Sequence, residues 1–367
     1  MQSTTFIIAG GGTGGHLFPG IAVCRELDSS FPGCRILFAV GRRRMESEIL
    51  ERHGFEVRHI SVEGIKGKGW AKKLGALSRL PVSLLQARRL VAEIEPACVI
   101  GVGGYSSGPV CVAARLSGVP SLIHEQNSFP GLTNRLLCRL VDRVCISFED
   151  SAARFSGGSI VVTGNPVREE FFSIGEKTPQ PGNRFTLLVV GGSLGSRPVN
   201  EAVVDSLVLL KKRGVFPSVI HQTGELDYDR IVERYQAEGL EGELQRFIDD
   251  MAGAYRRADL VVGRAGATTI FELAAAGRPA ILIPYPFAAD QHQKANAECL
   301  ASAGGARIIL QQDLNGTSLA AAIEELMKDA GTLARMGVCA RSIARPEAAS
   351  AIVDQVKAVA RKKGKNL

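Results

Sequence analysis

The sequence predicts an α/β chain built from two parallel-sheet halves, and three observations carry that reading. A strand-length apolar run, Thr5-Phe6-Ile7-Ile8-Ala9, empties into the glycine loop Gly10-Gly11-Gly12-Thr13-Gly14-Gly15-His16, and a helix-like stretch follows from Leu17 to Leu27. Strand and helix signals then alternate along the chain, the pattern of a parallel sheet with crossover helices. Gly104 and Gly118 lie 14 positions apart, as do Gly263 and Gly277, and each segment closes in Gly-x-Pro and an apolar strand. Such self-similarity marks an internal duplication.

The bulk numbers fit two such halves. A chain of 367 residues can bury two cores. Its 44 Lys and Arg against 37 Asp and Glu leave +7, a moderate excess that suits an anionic ligand or an anionic membrane surface. The first apolar run is strand-length and leads into glycines, unlike a signal peptide. No apolar run approaches the length of a bilayer span. Eight cysteines contain no C-x-x-C pair and sit mostly in apolar contexts, so they read as reduced core residues of a cytosolic protein.

The first glycine loop precedes a helix start, where unpaired backbone N–H groups attract anions and glycines let a ligand approach the backbone. Pro19 is expected in the first turn of that helix. Gly10, Gly12 and Gly15 spell a nominal G-x-G-x-x-G. A dinucleotide site would want an acid at the tip of the second strand, but Arg35 to Val40 ends in Gly41-Arg42-Arg43-Arg44. Arginines could hold a 2′-phosphate, so an NADP-dependent oxidoreductase stays open beside a plain structural turn.

Glu46 to His53 reads as a helix and Phe55 to Ile60 as a strand. Gly64 to Ala92 then carries seven Lys or Arg and no acid, interleaved with Ile65, Trp70, Leu74, Leu77 and further leucines. Basic residues with Trp and Leu suit an interfacial membrane contact centred on Ile65, Trp70, Lys72, Lys73, Leu74 and Leu77. A loop followed by an ordinary helix with core-facing leucines is the alternative, and the better reading for Val82 to Leu90. No nucleic-acid motif accompanies the basic residues. After strands at Cys98 and Ser121, the polar run His124-Glu125-Gln126-Asn127 sits where open α/β sheets face a ligand; a hydrogen-bonded loop is the alternative.

Val141 to Ser147 and Ile160 to Thr163 close the first half, with a linker expected within 164–184. The second half restarts at Phe185 to Val190, with a second glycine loop at Gly191 to Arg197. Later, Gly266-Ala267-Thr268-Thr269 opens a small-residue helix whose N-terminus suits a diphosphate. Glu272, one turn in, could accept bonds from two ribose hydroxyls, or could be a buried acid paired with Arg264 or Arg278. The strand Ile281 to Ile283 exits toward Asp290-Gln291-His292-Gln293. Asp227-Tyr228-Asp229 spells a metal-type D-x-D, yet it opens a helix where acids are favoured anyway. A basic, solvated, frayed end is expected at Arg361 to Lys365.

The ordered set of motifs, Gly10 to His16, His124 to Asn127, Asn165-Pro166-Val167-Arg168, Gly191-Gly192-Ser193, Arg264 to Thr268 with Glu272, and Asp290 to Gln293 with Asn296-Ala297, resembles glycosyltransferase family 28. It is similar in particular to the members that act on the lipid-linked intermediates of peptidoglycan synthesis. The resemblance runs from Ile7 to about Gly305. It implies the GT-B fold, two Rossmann-like domains with parallel sheets facing across a cleft. The expected divisions are 1–165 for the acceptor and membrane side, 166–344 for UDP-GlcNAc, and 345–367 for a helix returning to the first domain. It implies inverting transfer of GlcNAc from UDP-GlcNAc to the C4 hydroxyl of MurNAc in lipid I, giving lipid II and UDP. It places the enzyme peripherally on the cytoplasmic face of the inner membrane, with UDP-GlcNAc, lipid I and the anionic membrane surface as partners, no nucleic acid, and no obligatory cofactor or metal. By matching motif, Thr13, Gly14, Gly15 and Asn127 fall among donor-binding positions, and Arg168 and Ser193 near the sugar and diphosphate. Ile248 would hold the uracil by its backbone, Ala267, Thr268 and Thr269 the diphosphate, Glu272 the ribose and Gln293 the sugar. His16 is the leading candidate for the base, since imidazole titrates near neutrality, with Glu125 in reserve. If the basic segment touches lipid, charge reversal at Lys72 and Lys73 weakens binding to anionic vesicles in a sedimentation assay.

Overall fold

The computed structural model describes residues 4–11, 14–42, 44–62, 80–175, 184–192, 195–288 and 291–365. It divides into two compact units, one of residues 1–167 with 347–367 and one of residues 168–346. Thr13, Ile65, Trp70, Lys72, Lys73, Leu74, Leu77, Ser193 and Asp290 lie outside the described residues.

The first unit holds seven strands: β1 Thr5–Gly10, β2 Arg35–Val40, β3 Glu56–His59, β4 Cys98–Gly103, β5 Ser121–Glu125, β6 Arg143–Ile146 and β7 Ile160–Val162. Their order is β3-β2-β1-β4-β5-β6-β7, parallel throughout. The second unit holds β8 Thr186–Val190, β9 Ser218–Gln222, β10 Glu243–Gln245, β11 Leu260–Gly263, β12 Ala280–Leu282 and β13 Ala306–Ile308. Their order is β10-β9-β8-β11-β12-β13, also parallel. Both sheets therefore share the doubly wound order that reverses after the first strand. The two 14-residue segments fall on the equivalent connections β4 to β5 and β11 to β12, as a duplication requires.

Strand alternation explains the continuous apolar runs. Phe6 and Ile8 face a layer built with Leu17, Ile21 and Leu27 from the Gly14–Ser30 helix, while Ile7 and Ala9 face Ala87, Leu90, Val110 and Ala114 on the other side. A sheet buried on both faces has no polar alternation to show. In the second unit Leu187, Val189, Leu260, Val262 and Ile281 pack under the Arg197–Lys212 and Gly316–Lys328 helices.

Several local expectations shift. The first helix starts at Gly14, so Pro19 is its sixth residue and lies beyond the first turn. The second helix begins at Arg44, two residues early. The Leu80–Ile94 helix turns Ser83, Ala87, Leu90 and Val91 inward, but leaves Leu80, Val82 and Leu85 about half exposed. The chain end is pinned. Lys363 pairs with Asp142 at 2.8 Å and donates to the Val119 carbonyl at 3.2 Å, and Lys365 donates to the Pro96 carbonyl at 2.6 Å. The basic residues thus cap backbone carbonyls of the first unit.

The Ala348–Lys362 helix completes that unit's core through Ile352, Val353, Val356 and Val359. Ile352→Ala should lower stability by about 2–5 kcal/mol in urea unfolding, whereas Asp354→Ala, at an exposed position, should change it by less than about 0.5 kcal/mol.

Candidate functional site

In the first unit the β1 and β4 turns meet at backbone distance. Gly11 donates its N–H to the Gly103 carbonyl at 3.3 Å, and a Cβ on Gly104, at φ +81°, would run into the Gly11 carbonyl oxygen. The buried Glu46 carboxylate lies against Gly11 and would collide with a side chain there. Nothing in the spacing of the second helix singled Glu46 out. Gly14 and Gly15 form the first turn of the Gly14–Ser30 helix, and His16 is its third residue.

The His16 ring is half-buried, with Nδ1 3.0 Å from Gln126 Oε1. Strand β5 runs two residues further than its apolar core, so His124 and Glu125 lie on the sheet itself. His124, Glu125 and Gln126 are all buried. His124 Nε2 lies 3.1 Å from the Gly164 carbonyl and 3.1 Å from Ser147 Oγ. Burial pushes its imidazole down to about 4, so the ring is neutral. The Glu125 carboxylate accepts from Asn127 N at 3.0 Å, Asn127 Nδ2 at 3.2 Å, Gly131 N at 3.0 Å and Asn134 Nδ2 at 2.9 Å. Four donors fold the residues after β5 around that carboxylate. These bonds fix the backbone after the strand, and the run also brings Gln126 to His16.

In the second unit Gly192 lies at the mouth of β8, and its carbonyl accepts from Gln222 Nε2 at 3.0 Å. The same side chain accepts from Ile248 N at 3.0 Å. The Ile248 N–H, one of the two backbone groups expected to meet uracil, is therefore held by Gln222. Only the fold exposes that role, since Gln222 and Ile248 are far apart in sequence.

The Ala267–Ala276 helix follows β11, and its N-cap Gly266 supplies no side-chain cap to the first turn that contains Ala267, Thr268 and Thr269. Glu272 projects from the next turn with a side chain 12% exposed, and its nearest cation is Arg168 Nη2 at 3.9 Å. Burial pushes its carboxyl up to about 7; Arg168 pulls it down and Glu170 pushes it up. Arg168 also pairs with Glu170 at 3.1 Å and lies over the Phe171 ring. Arg264 and Arg278, the expected partners of a buried Glu272, are engaged elsewhere. Arg264 donates to Ser196 Oγ, the Ile283 carbonyl and Gln311 Oε1, and Arg278 to the Tyr255 and Gly175 carbonyls. Gln293, second residue of the His292–Ser302 helix, accepts from Tyr285 N at 2.9 Å. Asn296, fully buried, donates to the Ala265 carbonyl at 3.2 Å and ties this helix to the turn before Ala267.

The D-x-D carboxylates are taken up by cations. Asp227 accepts from Asn200 Nδ2 and Arg230, and Asp229 pairs with Arg246 at 2.8 Å. Among the described residues no group of three His, Cys, Asp or Glu is placed to hold a metal ion.

Two parallel sheets of one strand order, each with a glycine turn before a helix, give the chain the two-domain GT-B fold. The glycosyltransferase family 28 N-terminal domain matches residues 6–146 and the C-terminal domain residues 186–354. The chain belongs to glycosyltransferase family 28. It is 46% identical, over 95% of its length and 94% of the relative's, to the UDP-N-acetylglucosamine--N-acetylmuramyl-(pentapeptide) pyrophosphoryl-undecaprenol N-acetylglucosamine transferase of Geobacter sp. strain M21. A crystal structure of Acinetobacter baumannii MurG superposes with TM-score 0.77 at 33% identity, covering 98% of this chain and 100% of that one. A UDP-N-acetylglucosamine 2-epimerase superposes with TM-score 0.67 over 100% of this chain and 99% of its own, but at 12% identity it shares the fold alone. Family membership removes the oxidoreductase reading of the first glycine loop.

Glu272 gives a pH signature. Its carboxyl is raised from 4.5 to about 7 in the folded chain, so between those values the folded state holds a proton that the unfolded state releases. Its contribution to stability is whole below about pH 4.5 and is lost as pH rises through about 7. Glu272→Gln should flatten that part of the fall in unfolding midpoint between pH 4.5 and 7, measured by thermal unfolding in the absence of ligand.

Proposed function

We propose that this enzyme transfers GlcNAc from UDP-GlcNAc to the C4 hydroxyl of MurNAc in lipid I, forming lipid II and UDP for peptidoglycan synthesis. The observation that carries the reading is near full-length identity of 46% to a transferase whose name states the donor sugar and the lipid-linked acceptor. The second unit holds the nucleotide sugar. Ala267, Thr268 and Thr269 offer first-turn N–H groups to the diphosphate, Arg168 and Ser193 serve the sugar and diphosphate, Glu272 takes the ribose hydroxyls and Gln293 the sugar. Ile248 reads the uracil by its backbone, its N–H passing from Gln222 to the base. Thr13, Gly14, Gly15 and Asn127 are the further donor-binding positions of this reading.

Inversion is one in-line displacement. The base takes the proton of the C4 hydroxyl, the hydroxyl oxygen bonds the anomeric carbon, and the bond to the UDP oxygen breaks. His16 is the base. Glu125, surrounded by four donors, shapes the loop that carries Asn127 and supports His16 indirectly. Helix N–H groups and Arg168 meet the charge of the departing diphosphate without an obligatory metal or cofactor.

Among the described residues no helix is long and apolar enough to cross a membrane. The enzyme works peripherally on the cytoplasmic face of the inner membrane, through the stretch containing Ile65, Trp70, Lys72, Lys73, Leu74 and Leu77. The half-exposed Leu80, Val82 and Leu85 that follow it support that surface.

UDP release measured with UDP-GlcNAc, with and without a lipid I analogue, tests the reaction. Release should require the acceptor, and release without it would point to an epimerase or hydrolase instead. His16→Ala should lower kcat by about 10²–10⁴-fold; unchanged turnover would remove His16 from the mechanism.

A further inference from the structure

Two backbone carbonyls in the first unit determine which nitrogen of His16 carries its proton. A carbonyl only accepts, so the Gly164 oxygen, 3.1 Å from His124 Nε2, calls for a proton on that nitrogen. His124 is fully buried and neutral, which leaves its Nδ1 as a bare acceptor. That nitrogen faces Gln126 Nε2 at 3.1 Å, and the same amide nitrogen donates to the Val102 carbonyl at 2.9 Å. The Gln126 amide is thereby oriented from two sides. Its Oε1 is left facing His16 Nδ1 at 3.0 Å. An amide oxygen only accepts, so His16 Nδ1 is the protonated nitrogen and, in the neutral ring, Nε2 is bare.

The backbone makes room for this contact. Gly103 sits at φ +92°, and a Cβ there would fall 2.8 Å from His16 Nδ1 and 3.5 Å from Gln126 Oε1. Gln126 itself is buried, which protects the hydrogen bond from exchange with water.

We propose that Gln126 is a positioning residue that holds His16 as the Nδ1–H tautomer, so that Nε2 is the nitrogen that receives the acceptor proton. This rests on His16 being the base. Unlike a carboxylate, the amide carries no charge and takes no proton. The proton accepted at Nε2 therefore stays on the imidazolium until it leaves to solvent, and the ring is oriented by an uncharged partner.

Long-range ¹⁵N–¹H correlation spectra of ¹⁵N-histidine-labelled enzyme read the tautomer directly, with His16→Ala identifying the resonance. The expected pattern is a protonated Nδ1 for His16 and a protonated Nε2 for His124. A protonated Nε2 on neutral His16 in the native enzyme overturns the proposal, whatever any variant does. Gln126→Leu should return His16 to a tautomer mixture and lower kcat by about 10–10²-fold, with KM for UDP-GlcNAc unchanged. Gln126→Glu places a carboxylate on Nδ1 and should move the acid limb of the kcat/KM profile upward by about 1 pH unit or more. A Gln126→Leu enzyme that folds and keeps native kcat overturns the proposal. If His16→Ala retains turnover, the base assignment fails, while the spectra still decide the tautomer on their own.

Discussion

The close approach of the β1 and β4 turns is the constraint on which the first unit depends. Strand order reverses between these neighbours, so their carboxyl ends open away from the crossover helices. Gly103 and Gly104 both sit at positive φ, and Gly104 abuts the Gly11 carbonyl. A side chain at Gly104 would push the turns apart, and one at Gly103 would run into the His16 ring. With the turns in contact, His16 from the first helix turn and Gln126 from the end of β5 come within a hydrogen bond, although they are 110 residues apart. The second unit repeats the device with different atoms. A Cβ on Gly263 would meet the Val190 carbonyl oxygen at 2.5 Å, and one on Gly191 the Ser196 nitrogen at 2.8 Å.

This explains which features were legible in the sequence. Strand runs such as Thr5 to Ala9 and Leu260 to Gly263 are apolar on both faces because both faces are covered, and the glycine turns mark where the backbone must bend tightly. The duplicated 14-residue spacing follows from equivalent crossovers in two sheets of one order. Less legible were contacts that depend on three-dimensional neighbours. The alternative reading of Glu272 pairs it with Arg264 or Arg278, yet its nearest cation is Arg168, because Arg264 is drawn to the acceptors Ser196 and Gln311. The basic chain end looked like a solvated tail. Its carbonyl partners at Pro96 and Val119 belong to loops more than 240 residues away, and no local pattern announces them.

The buried titratable groups of the two units answer the same problem in opposite ways. Removing charge from water is costly unless it is paired or neutralised. His124 is kept neutral, its two nitrogens taken up by a carbonyl and an amide. Glu125 keeps its buried carboxylate among four N–H donors. Glu272, by contrast, has Arg168 as its nearest cation among the described residues, at 3.9 Å, and a carboxyl raised to about 7. Added hydrogen-bond donors would offset that burial.

The two halves thus share a fold and differ in the chemistry they place at the carboxyl ends of their strands. Past β5 the first unit links the neutral His124 ring and the Gln126 amide in a chain that reaches His16. Past β11 the second unit sets a helix start whose N-cap Gly266 gives no side-chain cap, with Glu272 one turn in and Arg168 beside that carboxylate. A proton acceptor needs a nitrogen with a free lone pair and no neighbouring cation, and a diphosphate needs the reverse. Duplicated sheets supply two separate locations for these incompatible surroundings, so each can be tuned by the residues of its own turns without disturbing the other.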